Sequence, residues 1–465
     1  MPLPELIQIQ PLPGPVSACV AVPGSKSVTN RALVLAALAH GTTTLHGALW
    51  SEDTRVMVEA LRAIGIRVDV CPDPTQLSNR AITVWGCGGR LPHSSGGQPI
   101  ELYVGNAGTA ARFLTALVCL GDGTYRLHGT PRMHQRPQGA LFKALRSLGY
   151  VIDSPNDRLP AAIHGAGPRA GHCAVAIGES SQFASALLLA GAAGGWTVEL
   201  DHSGGPEDAS YIEMTRQMIA SFPRHGGEFA IEPDASSGSY FIGAAWLLGA
   251  TEAVASRPRG SPTATLPIRW VKRIAVDRWP SSGWQIDARF PDYLPLPRSI
   301  SRARDLGDSV MTAMVLAADG ESGREWRPDS ARVENLISDY PEYAPLHFTD
   351  LGRLRLQECE RVAALRCELE RCGGAVTEFG DTLEVRPTRL HGAAIETYDD
   401  HRMAMCFSIL GLKVPGVRIK NPACVKKTFP DFYLKLGQPP PTGLGAAILD
   451  GQTGHPLAPE QLLAE

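Results

Sequence analysis

A chain of 465 residues, 44% hydrophobic and 20% charged, has the composition of a globular protein with room for two or three domains. Its formal net charge of −3 argues against general nucleic-acid binding, which wants a basic surface, but says nothing against a local basic pocket. The ten cysteines form no CxxC pair and no metal-finger spacing; Cys359, Cys367 and Cys372 cluster on a helical-looking segment where buried thiols are the simpler account, and we expect no metal and a reducing, cytoplasmic compartment.

The N-terminal stretch MPLPELIQIQPLPGPVSACV lacks the basic start and continuous apolar run of a signal peptide. No apolar run reaches bilayer-spanning length, so no membrane partner is expected. Pro23 to Gly41, PGSKSVTNRALVLAALAHG, is the stretch around which the rest is organised. A helix opening here would expose unpaired amides and a partial positive charge, to which Lys26 and Arg31 add full charges. That combination suits a phosphate or carboxylate, although a capped helix with two solvated cations would read the same way.

The layout recurs at GNAGTAARFLTALVCLG (Gly105 to Gly121), ESSQFASALLLAG (Glu179 to Gly191) and DASSGSYFIGAAWLLG (Asp234 to Gly249). It appears again at GDSVMTAMVLAADG (Gly307 to Gly320) and DDHRMAMCFSILG (Asp399 to Gly411). Broad apolar sides with few charges past the first turn predict helices buried on most sides. Between them, Val56 to Val70, Gly139 to Ser154 and Arg361 to Phe379 each read as amphipathic helix, Gly turn and strand. Short runs such as AITVWG, TYRLHG, WTVEL and LEVRP supply further strands. A strand–helix–strand–helix–strands unit repeated about six times belongs to the α/β or α+β class, not to one doubly wound sheet.

Residues 250 to 306 show weak periodicity, with WQIDARFPDYL as a short-helix candidate, and 319 to 346 read as an irregular polar excursion. The Pro- and Gly-rich tail from Gln438 is expected to be flexible.

PGSKSVTNRAL, GNAGTAARF, PRMHQRP, SSQF, DASSGSYF, TYDDHRMAMCFS and KKTFPDFY, in this order, resemble the signature segments of the 5-enolpyruvylshikimate-3-phosphate synthase family, the 3-phosphoshikimate 1-carboxyvinyltransferases. The resemblance runs from about residue 17 to 436. It implies a two-domain inside-out α/β barrel of six βαβαββ units whose buried helices point their N-termini at the interdomain cleft. Domain two would be residues 23–232, domain one residues 1–22 plus 233–437 with one irregular unit, and 438–465 the tail. The implied reaction moves the enolpyruvyl group of phosphoenolpyruvate to the 5-hydroxyl of shikimate 3-phosphate and releases phosphate. It needs no cofactor and no metal if side chains carry the charge. A monomer is expected, with small-molecule substrates as its only partners.

By position in the matching motifs, the resemblance implies that phosphoenolpyruvate contacts Lys26, Gly108, Arg132, Gln182, Arg361, Arg402 and Lys427. Shikimate 3-phosphate would be held by Lys26, Ser27, Arg31, Ser180, Ser181 and Gln182, with Tyr211 packed on the ring side. Thr109 is either a ligand of it or a helix cap. Asp308 would take or orient the hydroxyl proton, Glu358 would serve the methylene carbon, and Lys26 would share proton transfer at the bridging oxygen. A carboxylate at a helix start is also the ordinary cap, which is the other reading of Asp308. His401 would orient the anion site, and the inhibitor glyphosate would occupy the phosphoenolpyruvate position.

Four positions depart from the family pattern. Gln357 replaces a lysine near the shikimate hydroxyls, and Arg353, standing for Asn, would partly restore that charge. Phe113 replaces Pro and would shift the start of its helix, while Asp208 replaces Ser near an anionic substrate. Beside the active synthase stand two alternatives: an enolpyruvyl transferase with a changed acceptor, and a non-catalytic anion-binding homologue.

Overall fold

The computed structural model describes residues 3–14, 16–92, 98–201, 209–249, 251–254, 269–320 and 344–464. Asp208, the bulk of the 319–346 excursion and part of the 250–306 stretch lie outside these residues.

The six Ala- and Leu-rich segments form the helices Lys26–Leu38, Gly108–Val118, Ser181–Gly194, Ala235–Leu247, Val310–Ala318 and His401–Gly411. Few charges and many small side chains allow a helix to be enclosed by its neighbours. All residues of Gly108–Val118 and of Val310–Ala318 are buried. The amphipathic helices Glu52–Ala63, Gly139–Ser147 and Arg361–Arg371 bury one face each and lead into the strands Val68–Pro72, Val151–Asp153 and Ala375–Phe379. WQIDARFPDYL contains a 3-10 helix, Ile286–Tyr293.

Among the described residues four four-stranded sheets share one plan: a first strand parallel to a second, the second antiparallel to a fourth, the fourth antiparallel to a third. Ile100–Tyr103, Asp122–His128, Val151–Asp153 and Ala161–Ala166 build one such sheet from contiguous chain. Ser299–Ser301, Leu346–Thr349, Ala375–Phe379 and Thr382–Arg386 build another. The other two are completed from a distance. Gly227–Ala230 joins Thr42–Leu49, itself paired with Asn79–Trp85 and, through it, Val68–Pro72. Ala394–Ile395 joins Arg418–Lys420, which pairs with Leu6–Ile9. Among the described residues there are three further two-stranded sheets: the parallel pairs Gly171–Ala176 with Trp196–Asp201 and Ala18–Val20 with Ile274–Val276, and the antiparallel pair Thr251–Val254 with Arg269–Lys272.

The C-terminal tail departs from the expectation of a flexible segment. Ile448–Asp450 adds an edge strand to Leu6–Ile9, filling the third-strand position of that sheet, and Leu444, Ala446, Ile448 and Leu462 are buried. Pro and Gly set the composition of the connecting turns, and a three-residue strand is too short to outweigh them. What stabilises it is a strand edge at the other end of the sequence, which would otherwise stand unpaired.

Buried apolar residues form two cores, one drawn from Val28 to Ile231 and the other from Leu3–Val22 and Tyr240–Ala464. The chain passes between them at two places that lie side by side, where Ser25 N donates to Glu232 O (2.9 Å) and Asp234 N to Pro23 O (2.8 Å). Among the described residues no helix is long and apolar enough to cross a membrane.

Candidate active site

All six central helices begin at one cavity of about 120 Å3 between the two cores. Its wall includes Lys26 and Ser27, Thr109, Ser180 to Gln182, Ser236 and Ser237, Asp308, and His401 with Arg402. Three of the helices are capped by their own side chains: Ser180 accepts from Gln182 N (3.2 Å), Asp234 from Ser237 N (2.7 Å) and Asp400 from Arg402 N (2.9 Å). The Lys26 and Gly108 helices have no side-chain cap, which leaves their first-turn amides for an anion in the cavity. Among the described residues eight cations line the wall (Lys26, Arg31, Arg112, Arg136, Arg302, Arg353, Arg361, Arg402) against five carboxylates (Glu179, Asp234, Asp287, Asp308, Glu358).

Arg361 stands at the centre. Asp400 clamps it with Oδ2 2.7 Å from Nε and Oδ1 3.2 Å from a terminal nitrogen. Its fork then reaches Glu358 at 2.8 Å and Asp308 at 3.8 Å, so one buried guanidinium bridges both carboxylates. Glu358 is also paired with Lys427 (3.3 Å), and Asp308 with Arg302 (3.1 Å) and Arg402 (3.2 Å). Burial acts to raise both carboxyls, but the cations prevail. Arg402, Arg302 and Arg361 hold Asp308 far below the usual carboxylate range, and Arg361, Lys427, Arg136 and Lys26 do the same for Glu358. Arg361 and Arg402 are correspondingly raised, against their own burial, by Asp400 and Asp308 respectively. His401 is enclosed, and burial with Lys26 and Arg402 nearby pushes it well below its ordinary value, so its imidazole is neutral.

On the opposite wall Arg31 is 2% exposed and donates to Thr215 Oγ1 (2.8 Å), Ser185 Oγ (3.1 Å) and the carbonyls of Ser27 (2.9 Å) and Tyr211 (3.3 Å). Burial lowers it to about 10, which leaves it charged at neutral pH. Gln182 Nε2 donates to Thr109 Oγ1 (3.3 Å), tying two helix starts together. Lys26 is paired with buried Asp53 at 3.0 Å.

Of the residues expected from sequence, Lys26, Ser27, Arg31, Thr109, Ser180, Ser181, Gln182, Tyr211, Asp308, Gln357, Glu358, Arg361 and Arg402 line the cavity. Lys427 sits one contact behind, between Glu358 and the carbonyl of Asn106 (3.2 Å). Arg132 donates to the carbonyl of Gln357 (3.0 Å), bridging the two halves at the rim. Gly108 lies under Arg136, whose guanidinium covers its Cα. Arg112, Arg136, Asp53 and Arg302 were missed. The first two stand inside GNAGTAARF and PRMHQRP and were legible as further cations of matching motifs, whereas Asp53 and Arg302 carry no local signal.

Three of the four departures, Gln357, Arg353 and Phe113, fall within the described residues. Gln357 offers its side-chain oxygen to Arg361, and Arg353, 6% exposed, reaches across the cleft to the carbonyl of Ile177. Phe113 lies in mid-helix rather than near a start, buried beneath the Arg31 guanidinium at 5.4 Å.

Fold and site together define an α/β protein whose cleft is built to hold multiply charged small anions. A family model described as EPSP synthase (3-phosphoshikimate 1-carboxyvinyltransferase) matches residues 11–225 and 342–436. A 3-phosphoshikimate 1-carboxyvinyltransferase of Trichormus variabilis is 34% identical over 93% of this chain and 98% of its own length. One of Laribacter hongkongensis is 37% identical over 89% and 95%. The solved EPSP synthase of Acinetobacter baumannii has the same fold, with a TM-score of 0.63 at 20% identity over 95% of this chain and 99% of that one. The enolpyruvyl transferase NikO of Streptomyces tendae gives 0.61 at 16% over 96% and 99%. The chain belongs to the EPSP synthase family.

Proposed function

We propose that this chain transfers the enolpyruvyl group of phosphoenolpyruvate to the 5-hydroxyl of shikimate 3-phosphate, releasing phosphate through a tetrahedral ketal, in the route to chorismate and the aromatic amino acids. One observation carries the reading: cations and helix starts of both cores converge on two carboxylates bridged by a single guanidinium, Arg361. Each substrate brings a phosphate of about −2 and a carboxylate, and a cleft with eight lining cations offsets that charge.

The vinyl carbon C2 is a poor electrophile until C3 takes a proton. Glu358 delivers that proton while Asp308 accepts the one leaving the 5-hydroxyl, and the C–O bond forms at C2. Glu358 then removes a methyl proton as the C2–O bond to phosphate breaks, with Lys26 supporting the departing oxygen. A Glu358 held deprotonated by these cations is a poor acid. Phosphate and carboxylate groups compete for Arg361 and Lys427, and the weakened pairing raises Glu358 toward protonation when the substrate is in place.

In this reading phosphoenolpyruvate lies against Lys26, Gln182, Arg361, Arg402, Lys427 and the Gly108 helix start, with Arg132 and Arg136 beside it. Shikimate 3-phosphate lies against Ser27, Arg31, Thr109, Ser180, Ser181, Tyr211 and Gln357. Two domains, divided where the chain crosses beside Pro23 and Pro233, close over the substrates and exclude water. One chain supplies both walls, so a monomer suffices, and free thiols at all ten cysteines suit the cytoplasm.

The test is phosphate release from phosphoenolpyruvate with shikimate 3-phosphate present and then omitted. Release only when it is present is expected. No release in either case, with both ligands bound, would leave a binding protein and refute the reading.

A further inference from the structure

The segment Gln285–Asp287, at the start of WQIDARFPDYL, is joined to two of the central helices and lies in none of the family-matching motifs named above. Gln285 accepts from Ala235 N (2.9 Å) and donates to the carbonyl of Pro233 (2.8 Å), fixing the second crossing between the cores. Two residues on, Asp287 is 4% exposed and lines the cavity. Its Oδ1 accepts from Ser309 N at 2.6 Å and its Oδ2 from Ser236 Oγ at 2.8 Å. Ser309 follows Asp308 directly, so Asp287 grips the peptide that carries the Asp308 side chain. The approach is close: a Cβ at Gly307 would stand 2.9 Å from Asp287 Oδ2 and 2.7 Å from Ile286 Cγ2, and only glycine fits there.

We infer that Asp287 is a positioning residue for the reaction, holding Asp308 in register with the substrate hydroxyl by bolting its turn to the start of the Ala235 helix. The inference rests on the assignment of Asp308 as the group that takes the hydroxyl proton. A carboxylate near its phosphorylated substrate costs binding unless it earns a place, and Asp287 spends both oxygens on protein donors. Arg402 is the cation common to the pair: its guanidinium lies 3.2 Å from Asp308, and Asp287 contributes to its raised basicity. Buried donors and acceptors of this kind fix geometry to a few tenths of an ångström, which proton transfer in a closed site requires.

Asp287→Asn keeps an oxygen for Ser309 N and gains an amide that donates to Ser236 Oγ, whereas Asp287→Ala removes both contacts. The expected result is a kcat within about 3-fold of wild type for Asn and a loss of about 30-fold or more for Ala, with both KM values changed less than about 3-fold. The decisive measurement is a double-mutant cycle with Asp308→Asn. If Asp287 acts through Asp308, adding Asp287→Ala to Asp308→Asn costs little further. Losses that multiply in the double variant would overturn the inference, as would a kcat unchanged in Asp287→Ala. Urea unfolding of each variant identifies a folding defect, and a poorly folded Ala variant leaves the Asn variant to decide, a 30-fold kcat loss there counting against a role through geometry. Failure of the base assignment is separate: it would show as near-normal turnover in Asp308→Asn alone.

Discussion

Replacing Gly108 by alanine gives a sharp test of the anion site. A Cβ built there stands 2.5 Å from a terminal nitrogen of Arg136 and 2.8 Å from its Cζ. Ordinary contact lies near 3.5–4.0 Å, so the guanidinium must retreat by roughly 1 Å. Arg136 is 8% exposed and held by the carbonyl and side chain of Asn106 (3.1 and 3.4 Å), so it has little room to move without leaving the cavity wall. Losing one charge-assisted contact to a bound anion costs about 1.5–3 kcal/mol, which corresponds to roughly a 10- to 100-fold rise in the KM for phosphoenolpyruvate. In the proposed placement shikimate 3-phosphate lies mainly against the Lys26 and Ser181 helix starts, so its KM should change less than about 3-fold. Glyphosate inhibition should weaken in parallel. Alanine favours the helix over glycine, but displacing a buried guanidinium offsets that gain, so thermal unfolding measured beside the kinetics separates a loss of stability from the loss of the anion contact. Steady-state kinetics with each substrate varied in turn provides the measurement. Equal rises in both constants, or no rise, would refute the placement of Arg136 and of the Gly108 helix start.

Three other outcomes are expected. Gln357→Lys, which restores the family's usual charge, should lower kcat/KM by about 10-fold or more, because the Gln357 oxygen now accepts from Arg361 and an ammonium there would face a buried guanidinium; unchanged kinetics would show that the side chain swings clear. Truncation after Gly437 exposes Leu444, Ile448 and Leu462 and unpairs an edge of Leu6–Ile9, so urea denaturation should register a loss of about 5 kcal/mol, and an unchanged midpoint would count against a structural tail. Asp308 and Glu358 titrate far below their unfolded values of 3.8 and 4.5, so their contribution to stability is complete above about pH 5 and is lost as pH falls through and below those values. Unfolding free energies measured from pH 6 to pH 3 should show this decline, with a shallower slope in Asp308→Asn, and parallel slopes would contradict the pairing.

The helix starts, the motif cations and the α/β repeat were legible because each is a local matter: small residues and hydroxyls before an apolar run, with a charge at fixed offset. Lys26 and Arg31 could be named from such offsets; Glu358 and Arg402 were implied only by the resemblance of their motifs to the family's. Arg302, Asp53 and Asp287 could not, since nothing near them in sequence distinguishes a buried partner of a catalytic group from a surface charge. The roles of Gly108 and Phe113 were open to the same limit: one accommodates a guanidinium arriving from another segment, the other supports Arg31 from mid-helix.

By itself, then, the sequence determined which segments would be helices and that they carry their charge at one end, because capping and periodicity act over a single turn. Only the tertiary structure decided that Ile448–Asp450 completes a sheet begun at Leu6, and that Arg361 is shared by Asp308 and Glu358. Strand pairing and ion pairing depend on distances between residues tens to hundreds apart in the chain, and such distances exist only once the chain has folded.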